Sequence, residues 1–151
     1  MLKKLILENW KSFRYAELYF DPLTVLIGTN ASGKSNLVEA LEFLRRMATG
    51  ETVDVALNGD RALPPIRGGS QFAALHSRDS FTLKIVIENN QQDYLYNLLI
   101  FSNRNFQKVP CIWNEDIQWS NAKTKFDNPD FILDNKITLF EFGQALDNKL
   151  G

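Results

Sequence analysis

The chain has 151 residues, long enough for one domain with its own core, and 44% apolar against 23% charged residues is an ordinary balance for a globular protein. A net charge of −1 gives no overall basic signal, so a nucleic-acid function does not follow from charge. One cysteine (Cys111) and one histidine (His76) exclude a disulfide framework and the usual His/Cys metal clusters, and no apolar run approaches transmembrane length.

The start, MLKKLILENW, lacks the h-region of a signal peptide, so a cytoplasmic protein with no membrane segment is expected. Residues 2–8 read as a short strand, with Leu5 and Leu7 on one face and Leu2 and Ile6 on the other. The polar stretch NWKSF (9–13) reads as a turn. Tyr15, Glu17 and Tyr19 then alternate with Ala16, Leu18 and Phe20, the pattern of a half-buried strand. Asp21-Pro22 turns the chain into the continuous apolar run 23–27, LTVLI, expected to be a strand covered on both faces.

That run ends in GTNASGKS (28–35), the pattern Gly-x-x-x-x-Gly-Lys-Ser of a phosphate-binding P-loop, or Walker A motif. From average residue usage a chance match in a chain of this length is about a one-in-200 event, and the flanking strand and helix make it rarer. The chemistry explains the residue types. Triphosphate oxygens need several converging donors, and Gly28 and Gly33 let backbone N–H groups point inward with no Cβ in the way. The positive end of the following helix faces the phosphates, Lys34 reaches the β and γ phosphates, and Ser35 offers its hydroxyl to Mg²⁺. A glycine-rich strand-to-helix turn with an exposed lysine is the plain structural alternative, and it has no need of the Gly-Lys-Ser order.

Residues 34 to about 47 read as a helix. Leu37, Leu41 and Leu44 form a stripe that Val38, Ala40, Phe43 and Met47 widen, while Glu39, Glu42, Arg45 and Arg46 take the other side. Thr49-Gly50 supplies the stop. Residues 51–80 read as an irregular connector with room for a short helical turn or two. Strand alternation returns at 81–88 and 94–101 across a turn at 89–92, a β-hairpin and therefore antiparallel pairing. Further strands are expected within 109–119 and 131–142, and a last helical turn at 144–150.

A P-loop does not name a reaction. For a GTPase, Thr124-Lys125-Phe126-Asp127 spells a guanine-binding loop, but no DxxG occurs and no apolar strand precedes it, so it reads as a solvated loop. A P-loop phosphotransferase needs a parallel sheet fed by several helices, whereas one clear helix here is followed mostly by strands.

The first 44 residues, from MLKKLILENWKSF through GTNASGKSNLVEALEFL, resemble the N-terminus of RecF/SMC-like AAA-family ATPases, a branch of the ABC-type ATPases. The departures are Thr29 for a common Pro and Ala31 for a Gly; a Cβ at 31 is expected either to crowd the phosphate or to require a negative φ. The resemblance implies an α/β fold: the first lobe of a P-loop NTPase, with a mixed sheet around one P-loop helix plus an antiparallel β-subdomain. Within a single, incomplete lobe it divides the chain into 1–50 (strands, loop and helix), 51–80 (connector) and 81–142 (antiparallel strands). It further implies ATP and Mg²⁺ as cofactors. The nucleotide site it implies comprises Lys11, Ser12, Gly28, Asn30, Ser32, Gly33, Lys34, Ser35 and Asn36, with Ser35 on the metal. For Lys11 and Ser12 a solvated turn is an equal alternative. Arg67 resembles an arginine that follows the P-loop helix in this family, although an exposed loop arginine is the plainer reading. DNA as partner, and either a homodimer or a missing second lobe, come from the resemblance alone.

Hydrolysis in that family requires a Walker B strand ending in Asp-Glu and a Ser-Gly signature. Ile85-Val86-Ile87-Glu88 and Phe131-Ile132-Leu133-Asp134 are the nearest spellings, and each is followed by Asn where the pattern needs an acid. Both read as structural. The sequence therefore points to an ATP-binding module, in repair, chromosome handling or defence, that lacks the parts for turnover; a non-hydrolysing nucleotide- or partner-binding module is the alternative.

Overall fold

A computed structural model of the chain describes residues 1–21, 24, 33–89, 91–102, 110–119 and 132–134. Strand β1 is Leu2–Trp10, β2 Phe13–Tyr19, β3 Ser80–Asn89, β4 Gln92–Phe101, β5 Cys111–Trp119 and β6 Ile132–Asp134. Helix α1 is Lys34–Ala48 and α2 is Val53–Asn58, and a single 3-10 turn covers Gly69–Gln71. The strands form one sheet in the order β2-β1-β3-β4-β5-β6, and each neighbouring pair is antiparallel.

The antiparallel strands expected after residue 80 are present, and among the described residues they share one sheet with β1 and β2. Among the described residues no pairing is parallel, and β3 lies directly against β1, with Leu5 opposite Ile85 and Leu7 opposite Leu83. The two edges of β1 are taken by β2 and β3, so the strands before and after the helices share one core. The expected strand at 23–27 and the last helical turn at 144–150 lie outside the described residues, as does most of 131–142.

Alternation decides which face is buried. Leu5, Leu7, Phe81, Leu83, Ile85, Tyr96, Leu98, Ile100 and Ile117 point to the covered face, each 6% exposed or less. Lys4, Glu8, Glu17 and Lys84 stand on the opposite face and pair across strands, Lys4 with Glu17 at 2.9 Å and Lys84 with Glu8 at 3.3 Å. Helix α1 lays Leu37, Ala40, Phe43, Leu44 and Met47 on the covered face. Trp10, Phe43 and Phe81 make the centre of this core, with ring centroids 4.9 to 5.9 Å apart in tilted and edge-on contacts.

Two helix residues depart from expectation. Val38, placed in the apolar stripe, is 54% exposed. Arg46, placed on the solvent side, is 4% exposed; it bonds Glu42 at 2.9 Å and donates to the carbonyls of Ala56 and Pro64 at 3.0 and 2.8 Å. The guanidinium thus joins α1 to α2 and to the loop after it through the Ala56 and Pro64 carbonyls. Helix α2 starts on Thr52, whose side chain accepts the Val55 amide, and ends at Gly59. It is the short helical turn expected in the 51–80 connector.

Candidate phosphate-binding site

The expected P-loop helix starts where the motif requires. Gly33 precedes it in the left-handed region (φ 86°), makes no side-chain cap, and is followed by no acidic residue in the first turn. The first amides of α1, those of Lys34, Ser35 and Asn36, have no acceptor within the helix, which is the local geometry an anion uses. Glycine is required at position 33 on two counts. An L-residue is strained at that φ, and a Cβ there would stand 2.8 Å from Cζ of Phe13 on β2.

Phe13 follows the β1–β2 turn, and that turn is tied to the helix by a compact network. Asn36 is its hub. Its main-chain carbonyl accepts the Trp10 indole N–H at 2.7 Å, its side-chain nitrogen donates to Ser12 Oγ at 2.8 Å, and its side-chain oxygen accepts from Arg67 at 2.9 Å. The turn is fixed from the other side by the 73–75 segment: the Lys11 amide donates to the Ala73 carbonyl at 2.8 Å and the Leu75 amide to the Asn9 carbonyl at 2.7 Å. Asn9 and Lys11 both take positive φ (55° and 50°), which the double anchorage holds in place.

The charges at this end converge. Lys11 Nζ donates to the Arg67 carbonyl at 2.7 Å and stands 2.6 Å from Glu39 Oε2, an ionic contact outside hydrogen-bonding direction, since that oxygen is buried without a hydrogen-bond partner. Arg67 Nε lies 3.6 Å from the other Glu39 oxygen. The Lys11 side chain is 7% exposed and its ammonium lies 5.7 Å from the Trp10 ring centre, whereas Arg67 is 67% exposed. Beside them opens a cleft of about 520 Å³ lined by Lys11, Ser12, Asn36, Arg67, Phe72 and His76, among others.

Of the site residues expected from sequence, the fold brings together Lys11, Ser12, Gly33, Lys34, Ser35 and Asn36 at one end of the sheet. Gly28, Asn30, Ala31 and Ser32 lie outside the described residues, as does the Thr124–Asp127 spelling. The sequence reading placed Trp10 in the 9–13 turn and Glu39 on the solvent side of the helix, and so foresaw neither in the network. The signal available for Trp10 was its indole N–H, which needs an acceptor when the ring is buried.

The local arrangement fits a phosphate group, with helix-terminal amides, a lysine and an exposed arginine on one side and no first-turn carboxylate. For Mg²⁺ the described residues offer the Ser35 hydroxyl and no group of three or more His, Cys, Asp or Glu that could hold a metal. That suits an ion carried by phosphate oxygens and water rather than by a protein cage. The two acidic strand ends lie elsewhere. Glu88 is level with Met1, whose amino group donates to its carbonyl at 2.6 Å, and it pairs with Lys3 at 3.1 Å. It therefore sits the full length of β1 from Lys11, roughly 30 Å at the usual strand rise. Asp134 ends β6, at the opposite edge of the sheet from β2.

Residues 1–142 match the family model described as AAA ATPase domain. The DNA replication and repair protein RecF of Acidothermus cellulolyticus is 38% identical over 76 residues, 50% of this chain and 19% of that protein. RecF of Lactobacillus gasseri is 40% identical over 73 residues, 48% of this chain and 18% of that protein. The chromosome partition protein Smc of Halothermothrix orenii is 38% identical over 84 residues, 54% of this chain and 7% of that protein. The matched segment thus spans about a fifth or less of each relative's length. A solved structure from work on ATP-driven dimerization and DNA-stimulated activation of SMC ATPases superposes with a TM-score of 0.47 at 15% identity, over 82% of this chain and 72% of that one. With the family model covering nearly the whole chain, this protein belongs to the AAA ATPase domain family.

Proposed function

We propose that this chain is the ATP-binding part of a RecF/SMC-like ATPase that works on DNA, in repair, chromosome handling or defence. The observation that carries the reading is the start of α1 at Lys34, behind a left-handed Gly33, with the Lys11–Ser12 turn and Arg67 fastened beside it through Asn36. The motif at 28–35 would hold the phosphates, with Lys34 on the terminal phosphates and Ser35 on the metal. Bound Mg²⁺ would supply neutralisation of the phosphate charge. Ser12 and Arg67 face the cleft, with the Lys11 side chain packed beneath them against Glu39.

The chain binds without turning over by itself. This second part rests on the position of Glu88, which lies at the far end of β1 from the phosphate site and is engaged with Lys3. A water-activating acid supplied by a second copy or a further lobe fits that reading.

Titration of Mg-ATP, followed with a fluorescent ATP analogue, tests the reading in the wild type beside Lys34→Ala. Removing a charge-assisted phosphate contact is expected to weaken binding at least about tenfold. Equal and negligible binding by both proteins refutes the nucleotide assignment. Steady phosphate release by the wild type that is lost in Lys34→Ala refutes the non-hydrolysing part.

A further inference from the structure

Glu39 is the one carboxylate among the described residues that touches the charges of the candidate site. It points its two oxygens at two different cations, Oε2 at Lys11 and Oε1 at Arg67. It sits five residues into α1 from Lys34, against Lys11 and Arg67, which line the cleft, and is 20% exposed. Its position is unexpected for a phosphate site, because a negative charge there repels the ligand. Simple electrostatics would remove it.

The surrounding geometry supplies a reason to keep it. Lys11 and Arg67 are brought together by a main-chain contact, the Lys11 ammonium donating to the Arg67 carbonyl. Two cations held this close repel, and Lys11 is almost entirely withdrawn from water. A shared counterion is what allows both to stay. With Glu39 present, Lys11 is held inward and Arg67 keeps its guanidinium on Asn36, at the rim of the cleft beside the first turn of α1.

We propose that Glu39 is a positioning residue for the phosphate site: by bridging Lys11 and Arg67 it aims the exposed Arg67 guanidinium at the anionic ligand beside the α1 N-terminus. The proposal rests on the nucleotide-binding reading above. It also makes Lys11 a brace that spends its charge on Glu39 and the Arg67 carbonyl rather than on the ligand.

The sign of one substitution separates this role from plain charge. Glu39→Gln removes a negative charge while keeping shape; if Glu39 acts only through its charge, Mg-ATP binds more tightly. If Glu39 positions Arg67, binding weakens about tenfold, as expected when a guanidinium–phosphate contact is lost. Arg67→Gln, a substitution at an exposed side chain, is expected to weaken binding to the same extent. Adding Glu39→Gln to Arg67→Gln is expected to change affinity by less than about twofold, because residues acting through one another are not additive. Glu39→Asp, which keeps the charge, is expected to restore most of the wild-type affinity, and it serves as the second variant where Glu39→Gln fails to fold.

Tighter or unchanged binding by Glu39→Gln, or Glu39→Asp as weak as Arg67→Gln, overturns the proposal while leaving the nucleotide reading intact. Absence of binding by the wild type, measured in the same titration, overturns the nucleotide reading and this inference with it.

Discussion

Replacing Gly33 by alanine tests whether the helix start is as tightly built as the geometry requires. Two separate costs follow from the structure. The residue has φ 86°, where a side chain costs about 1–2 kcal/mol. The new Cβ also stands 2.8 Å from Cζ of Phe13, so the ring must shift off its place on the core. Overpacking of this kind adds roughly 1 kcal/mol or more, for a total of about 2–3 kcal/mol. The two terms separate in a double-mutant cycle with Phe13→Ala, read by urea unfolding of all four proteins. In the Phe13→Ala background the overpacking term vanishes and only the backbone term, about 1–2 kcal/mol, remains. A cost below about 0.5 kcal/mol for Gly33→Ala refutes the left-handed start of α1, since that is the scale of a neutral surface substitution. An equal cost in both backgrounds refutes the contact with Phe13.

Three further outcomes follow. Arg46→Met keeps the volume but leaves the Ala56 and Pro64 carbonyls without their donor and Glu42 with one cation fewer, and is expected to cost about 2–4 kcal/mol in urea unfolding. The Glu42 carboxyl is held at about 2, below its ordinary 4.5, first by Arg45 and then by Arg46 against the pull of desolvation. A depressed carboxylate contributes stability that is full above its unfolded value and is lost as pH falls through the folded one; Glu42→Gln is therefore expected to flatten the stability curve between about pH 5 and pH 2. With the side chain a third exposed, the flattening amounts to about 1 kcal/mol, measured by thermal melts across that range. Glu88→Gln is expected to leave Mg-ATP affinity unchanged within about twofold in the same titration, since a charge that far away is beyond the screening length in physiological salt.

The parts of the fold that sequence reveals are those with a local period or a local motif. The helix start after Gly33 follows from the loop spelling, and the β3–β4 hairpin from two runs of alternating residues facing a short turn. The half-buried character of β2 shows in Tyr15, Glu17 and Tyr19, which alternate outward as the pattern requires. What sequence does not reveal depends on partners far along the chain. Arg46 has Glu42 four residues before it whether the pair is solvated or buried, and only the approach of the Ala56 and Pro64 carbonyls makes it a core residue. Val38 has the right type for the apolar stripe but falls outside the arc of α1 that the sheet covers. Asn36 is named by its motif, yet its bonds to Trp10, Ser12 and Arg67 join three segments that no local pattern relates. The placement of β3 beside β1 is likewise a matter of which strand edges remain to be filled.

The central claim is that nucleotide phosphates are held at the N-terminus of α1. Its most direct test is a titration of the isotope-labelled chain with Mg-ATP, followed by amide ¹⁵N–¹H spectra. The account predicts that the amides of Gly33, Lys34, Ser35 and Asn36 shift most among the described residues, with those of Ser12 and Arg67 following. The amides of Glu88 and Asp93, at the other end of the sheet, stay in place. Shifts centred on the solvent face around Lys4, Lys84 and Leu95, or no shifts at all at millimolar Mg-ATP, contradict it.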